Sequence, residues 1–324
     1  MTVVSVEADF ARDTDRFRRE LLAHCYRMLG SVDDAEDAVQ ETYLRAWRGY
    51  PDFAGRSSPR TWLYRIATRV CLDAVAHHSR RVLPSGVGAP TDPAEPDRGM
   101  AGGPASRIQP MADRLIGIDE TPDPAEQIVR RESVRLALVA ALQQLPARQR
   151  ASLLLREVLG MSAGETADIL GVTVPAVKSM LQRARARMAD QPGLRNERAH
   201  DLQPGRRAWL LEQYLTAFER SDPAMLERVL TEDARLELPP DGWFSGKQDC
   251  MTVLREAVGR PGDWRMLPDS FNGRPGVAAY LRDAAGRHQA YGIAVLEVTE
   301  DGINAITVFG EPDLLTRFGF PAAA

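Results

Sequence analysis

The sequence predicts a multidomain protein with two all-α domains, the second a helix-turn-helix, and a C-terminal α+β domain with a curved antiparallel sheet. Three observations predict it. Apolar residues recur at helical spacing from residue 16 to 81 and again from 128 to 188. Between them, residues 82–127 hold eight prolines, six glycines and a net negative charge, the composition of a flexible linker. From Arg206 onward, helical patterns give way to alternating apolar segments of strand length. A length of 324 residues suits two or three domains. With 44% hydrophobic and 27% charged residues, collagen-like, coiled-coil and wholly disordered readings are excluded.

The elements follow in order. Residues 16–30 place Phe17, Leu21, Leu22, Cys25, Met28 and Leu29 at helical spacing, and Gly30 stops the helix. Ser31 is a good N-cap for the next helix, whose early acids suit the helix dipole. Its apolar stripe would be Ala35, Ala38, Val39, Tyr43, Leu44 and Trp47. Residues 51–59 read as a loop, and a third helix runs from Arg60 to Arg81 with Trp62, Leu63, Ile66, Val70 and Val75 inward. The boundaries expected are a helical domain over 10–81, the linker over 82–127, a second helical domain over 128–192, a connector over 193–205 and the last domain over 206–324. Inside the linker, an apolar island from Ile108 to Ile116 could dock on something. In the last domain, two amphipathic helices (WLLEQYLTAFERSD and PAMLERVLTEDA) precede an extended RLELPP, a third helix from Gly246 and four strand-like segments.

No apolar run approaches the roughly 18 residues a membrane helix needs. The acids of MTVVSVEADFARDTD stand where a signal peptide is basic and then apolar, so a cytoplasmic protein without membrane attachment is expected. Cys25, Cys71 and Cys250 make neither a metal spacing nor an even disulfide set.

The net charge of −4 conceals a strong polarity. Residues 1–81 carry 13 bases and 12 acids, and residues 128–205 carry 12 and 7. Six arginines against one acid occupy 56–81, directly after five acids within residues 33–41. Such blocks on neighbouring helices suggest two different partners.

The sharpest local signal lies in residues 162–188. Ala167 is small where two helices cross, Gly171 sits at the turn, and Val177 packs the second helix onto the first. Leu170, Val172 and Met180 complete the small core, and Thr173 caps a second helix that tolerates the early Pro175. Lys178, Ser179, Gln182 and Arg183 face outward, with Arg185 and Arg187 beyond and no acid before Asp190. A basic helix after such a turn fits major-groove recognition.

Three long motifs, DDAEDAVQETYLRAWRGYPDF, GRSSPRTWLYRIATRVCLD and LPARQRASLLLREVLGMSAGETADILGVTVPAVKSMLQRARARM, together resemble the extracytoplasmic-function (ECF) bacterial sigma factors. The resemblance implies a non-catalytic subunit that binds core RNA polymerase through the β′ clamp helices and β flap, directs it to promoter DNA and assists opening. It assigns polymerase binding to Asp33, Asp37, Gln40, Glu41 and Leu44. It assigns the minus-ten element to Arg56, Ser57, Ser58, Arg60, Thr61, Trp62 and Arg65. It assigns the minus-thirty-five element to Thr173, Pro175, Ala176, Lys178, Ser179, Gln182 and Arg183. Physical chemistry agrees with each. Single-stranded bases need an aromatic, cationic surface, which Trp62, Tyr64, Arg56, Arg60 and Arg65 could supply, although the phase of Trp62 also allows a buried role. N-terminal capping explains Asp33 and Asp34 but not Glu41. One departure is Met180, where family members often carry a base.

LLEQYLTAFERSDPAMLERVLTEDARLELPP and NGRPGVAAY resemble the SnoaL-like, nuclear-transport-factor-like cones appended in SigJ- and SigG-like members. Asp233, Asp241, Trp243, Asn272 and His288 are candidate pocket groups for a small-molecule ligand, but no Asp/His spacing makes a dyad. The domain therefore reads as a modulator without cofactor, metal or catalytic residue. Two alternatives stand beside this. In one, the cone binds or converts a small molecule; in the other, the chain is a helix-turn-helix repressor, which would not need the acid cluster. An anti-sigma partner is not legible.

Overall fold

The computed structural model describes residues 3–53, 55, 57–77, 81, 83–86, 89–94, 108–118, 124–191, 203–239 and 242–324. The chain divides into two compact units, one of Met1–Arg81 with Leu115–Glu197 and one of Val82–Arg114 with Arg198–Ala324.

In the first unit, α1 (Val3–Thr14), α2 (Arg18–Leu29), α3 (Val32–Gly49) and α4 (Pro59–His77) form the N-terminal domain. Gly30 ends α2 with φ 73°, and the Ser31 side chain accepts the Asp34 amide at 3.2 Å to start α3. Leu21, Cys25, Met28, Val39, Leu63, Ala67 and Cys71 pack in its core. Helix α1 was not expected; its Phe10 lies edge-on to Tyr43, Trp47 and Tyr50. After the short α5 (Asp113–Ile116), the second half of the unit contains α6 (Pro124–Glu132), α7 (Leu136–Gln143), α8 (Ala147–Leu153), a π-turn (Leu154–Val158), α9 (Ala163–Leu170) and α10 (Val174–Ala189). A capping box between Ser162 and Glu165 starts α9. The sequence read helix through residue 133, but the chain breaks there, with Ser133 closing its hydroxyl onto the Arg130 carbonyl.

The second unit orders α11 (Pro204–Glu219), α12 (Pro223–Val229), β1 (Leu230–Leu238), β2 (Gly242–Ser245), α13 (Lys247–Ala257), β3 (Trp264–Phe271), β4 (Arg274–Arg282), β5 (His288–Val298), β6 (Ile303–Phe309) and α14 (Pro312–Arg317). The strand order is β2-β1-β6-β5-β4-β3. Here the sheet differs from the antiparallel expectation, because β1 runs parallel to β6. No hairpin joins these two strands; β1 enters from a helix and β6 ends a meander, so nothing obliges them to oppose. Residues 231–234, read as the end of a helix, are already strand.

One sheet face carries Ala294, Leu296 and Ile306 into a core with Leu210, Tyr214, Phe218 and Leu254. The alternating residues Ile293, Val295, Ala305, Thr307 and Phe309 point to the other face and are buried as well. Pieces of the segment read as a flexible linker help to close this unit. Thr91 donates its amide to the Trp243 carbonyl at 2.7 Å, and Ser85 its hydroxyl to Glu237 at 2.9 Å. Ile108 and Met111 are fully buried, Ala112 bridges to Phe271, and Arg114 pairs with Asp269. The apolar island does dock: Ile108, Met111 and Ala112 are buried, and backbone and side-chain bonds tie the segment to the end of β3 and the β3–β4 turn.

Asn272, with φ 55°, accepts the Met111 amide at 2.9 Å and donates its own amide to the Met111 carbonyl at 2.8 Å. Asn272→Ala should therefore lower the stability of this unit by about 1–3 kcal/mol, because a buried amide loses its partner at a left-handed position. Denaturant unfolding followed by Trp fluorescence checks it.

Candidate nucleic-acid interface

Helix α3 is amphipathic, and its buried side (Ala35, Ala38, Val39, Thr42, Ala46) leaves Asp37, Gln40 and Leu44 exposed, with Glu41 half-buried. These four, spaced i, i+3, i+4 and i+7, form one stripe. Leu44 and Trp47 were expected inward, but they are 51% and 37% exposed. Ala46 and Thr42 fill the inner face instead, so the acidic stripe ends in a large apolar tip. Trp47 is the residue that sequence reasoning missed there. Asp33, at the start of the helix, is half-buried, and Asp34 beside it pairs with Arg81.

The loop into α4 gathers aromatic rings. Trp62 is half-buried, with its ring centroid 4.7 Å from Phe53 and 6.4 Å from Tyr50. Ser58 accepts the Thr61 amide at 3.1 Å and so starts α4 at the loop's end. Ser57 is half-buried and Ser58 exposed nearby, while Arg56 lies outside the described residues. Tyr64 does not join this surface. It is fully buried, its hydroxyl reaches Glu20 at 3.3 Å, and burial pushes that hydroxyl's pKa well above its usual value. Arg60 donates to Glu20 at 2.9 Å, and the Arg65 Nε is enclosed without a hydrogen-bond partner. The loop thus presents the Phe53–Trp62 pair together with the flanking hydroxyls of Ser57 and Ser58.

In the second half of the unit, Gly171 ends α9 with φ 64° and Thr173 accepts the Ala176 amide at 3.4 Å to start α10. Ala167, Leu170, Val177, Met180 and Ala184 are buried. Met180, the departure noted in the sequence, is a core contact of the turn. Thr173, Pro175, Lys178, Gln182 and Arg183 are exposed, and Ala176 and Ser179 half-exposed, along one side of α10. Arg185, by contrast, is bound to Glu157 at 2.8 Å.

Three of the candidate pocket groups of the C-terminal unit, Asp233, Asn272 and His288, have separate structural partners, as does the backbone of Trp243. Asp233 accepts from Thr231 at 2.8 Å, His288 meets the Gly262 carbonyl at 3.0 Å, and the Trp243 carbonyl and Asn272 hold residues 91 and 111. Asp241 lies outside the described residues.

Comparison with known proteins bears on these surfaces. Residues 14–81 match the Sigma-70 region 2 family and residues 135–188 the Sigma-70, region 4 family. The chain is 42% identical over 317 residues to the ECF RNA polymerase sigma factor SigG of Mycobacterium tuberculosis, covering 97% of this chain and 84% of that protein. The chain belongs to the ECF sigma factors. It is also 31% identical over 183 residues to SigJ of the same organism, 56% of this chain and 50% of that one. The crystal structure of SigJ superposes with a TM-score of 0.62 at 22% identity, over 96% of this chain and 99% of that chain. This ECF sigma factor has regions 2 and 4 and a C-terminal α+β domain built on a six-stranded mixed sheet. Sigma factors are generally non-enzymatic transcription regulators. No helix among the described residues is long and apolar enough to cross a membrane.

Reversing two charges in the exposed stripe, Asp37→Lys with Glu41→Lys, should abolish co-purification with core RNA polymerase while the circular dichroism spectrum stays unchanged. Arg183→Ala should weaken duplex binding across sequences and reduce the slope of log K against log salt by about 1. Filter binding at several salt concentrations measures both.

Proposed function

We propose that this sigma factor grips core RNA polymerase through the acidic stripe of α3, with Asp33 at its start, and the apolar tip Leu44–Trp47. The stripe carries the reading: exposed Asp37, half-buried Glu41 paired with Arg45 at 2.6 Å, and an exposed apolar tip suit a basic partner helix that competes for the carboxylates. Phe53, Ser57, Ser58, Thr61 and Trp62, with Arg56, Arg60 and Arg65, take the opened minus-ten strand. Exposed Thr173, Pro175, Lys178, Gln182 and Arg183, with Ala176 and Ser179, enter the duplex at minus thirty-five, and region 4 rests on the β flap. The work is done in the cytoplasm, where polymerase is.

The C-terminal domain acts as a built-in modulator rather than an enzyme. Supporting this, the chain that joins region 2 to region 4 is not slack, because its described pieces are bound to that domain's sheet. Separating the two regions then requires this chain to peel away or the domain to travel with it. The polar groups of the domain are committed to structure, which favours regulation by contact over turnover of a small molecule.

In vitro transcription with purified core enzyme tests both statements. Full-length protein should initiate from a cognate promoter, and deletion of residues 206–324 should change the output at least severalfold. Unchanged output would remove the modulator role, and absence of any initiation would remove the whole assignment.

A further inference from the structure

Aromatic rings touch in succession from α3 to the start of α4. Phe10 of α1 is the buried member, its ring centroid 5.6 Å from Trp47 and 5.3 Å from Tyr50 and edge-on to both. Beyond it, Tyr50 lies nearly parallel to Phe53 at 6.5 Å and stands 6.4 Å from Trp62, while Phe53 and Trp62 are 4.7 Å apart. Separations of about 4.5–7 Å are those at which aromatic pairs attract. Tyr50, Phe53 and Trp62 are each half-buried, so the cluster is anchored inside the protein and still reaches solvent.

Tyr50 is the junction of this chain of rings. It begins a 3-10 turn (Tyr50–Asp52) in which Pro51 restricts the backbone, and its carbonyl accepts the Phe53 amide at 3.0 Å. Ring and backbone of Tyr50 therefore both hold Phe53. Its hydroxyl donates to Asp13 Oδ2 of α1 at 2.8 Å, and this charge-assisted bond raises the Tyr50 pKa. Gly49 beside it lets the Trp62 ring approach, since a Cβ there would stand 3.6 Å from Trp62 Cζ2. Phe10 and Asp13 precede residue 14, where the match to region 2 begins. The supports of the ring cluster thus lie outside the segment matched to the family.

We propose that Tyr50 is a positioning residue for promoter opening, held by Phe10 and Asp13 so that Phe53 and Trp62 stand ready to stack an unpaired base. This rests on the reading of Phe53 and Trp62 as the surface for the minus-ten strand. The physical reason is ordering. Bases stack on aromatic side chains whatever their sequence, but a ring that becomes fixed only on contact gives back part of that gain as lost rotamer freedom. Tyr50 removes this loss in advance. It acts through Phe53 and Trp62, and its hydroxyl is turned to Asp13.

The test compares one promoter in two forms, fully paired and mismatched through the minus-ten element, using holoenzyme assembled from core polymerase and full-length variants. Initial RNA synthesis is read on both forms. Tyr50→Phe and Asp13→Ala should each slow synthesis from the paired form about threefold or more, and their combination no more than either alone, because both remove one bond. Phe10→Ala should slow it about tenfold. On the mismatched form, where no base pair has to be broken, all should stay within about twofold of the parent. A fold defect would lower both forms alike, so the ratio between the forms is a readout that a merely structural role does not move. The proposal is overturned if the variants lower both forms equally or neither, or if the Tyr50→Phe and Asp13→Ala effects add. Trp62→Ala separates the inference from the reading beneath it. Loss on the paired form with Trp62→Ala, but not with the Tyr50 and Asp13 variants, overturns this inference alone. No loss with Trp62→Ala overturns it together with the minus-ten reading.

Discussion

The first unit depends on one buried cation, Arg150 of α8. Its guanidinium donates to the Met28 carbonyl at the end of α2, to the Gln143 side chain, and to the Gln143 and Leu145 carbonyls at 3.2 Å. Gln143 in turn donates to the Arg27 carbonyl at 3.2 Å. The last carbonyls of α2, which no helix can satisfy internally, are thus met from region 4, and a positive charge lies at the negative end of the helix. Gly30 makes room for this. A Cβ there would stand 3.1 Å from Gln143 Cδ, and its φ of 73° is left-handed. Removing Arg150 alone would strip several carbonyls at once, so the contact is cooperative: it is either closed or open.

An all-or-none contact matters because promoter geometry demands separation. Elements about 25 base pairs apart lie about 85 Å apart along duplex DNA at 3.4 Å per step. Regions 2 and 4 packed through Arg150 in one compact unit cannot span that distance. If region 2 takes the minus-ten element and region 4 the minus-thirty-five element, as proposed, promoter engagement has to break this contact. On the proposed reading, the free energy for doing so comes from contacts of α3 and α10 with polymerase and DNA, on which Asp37, Gln40, Leu44, Lys178, Gln182 and Arg183 stand exposed.

Much of this was legible in the residues, and the failures have identifiable causes. The helix periods, the Ser31 cap, the Gly30 and Gly171 stops and the Ala167–Gly171–Val177 turn all depend on local chemistry, and the structure holds them as expected. Acids at 37 and 41 were legible as a surface, but Trp47 was not. An aromatic residue in an amphipathic pattern is assigned inward until Phe10 of an unexpected helix and the small Ala46 claim the inner side. Tyr64 misled for the opposite reason: its neighbours are cationic, yet its phase on α4 turns it to Glu20 and the core. Arg150 could not be found from composition, since a buried arginine is defined by carbonyls supplied from another helix.

The linker shows the same limit most plainly. Proline, glycine and acid content argued for slack chain, and composition describes what a segment does without a partner. Ile108 and Met111 had one: they are fully buried, and the segment is bonded to the end of β3 and the β3–β4 turn at Phe271, Asn272 and Gly273. Asn272 turns its amide to residue 111, and Glu237, whose pKa burial raises, receives Ser85. On this sheet, Asn272 and Glu237 are directed at the protein's own connecting chain. On the proposed reading, control by holding that chain needs only a contact whose strength is comparable to the opening it restrains.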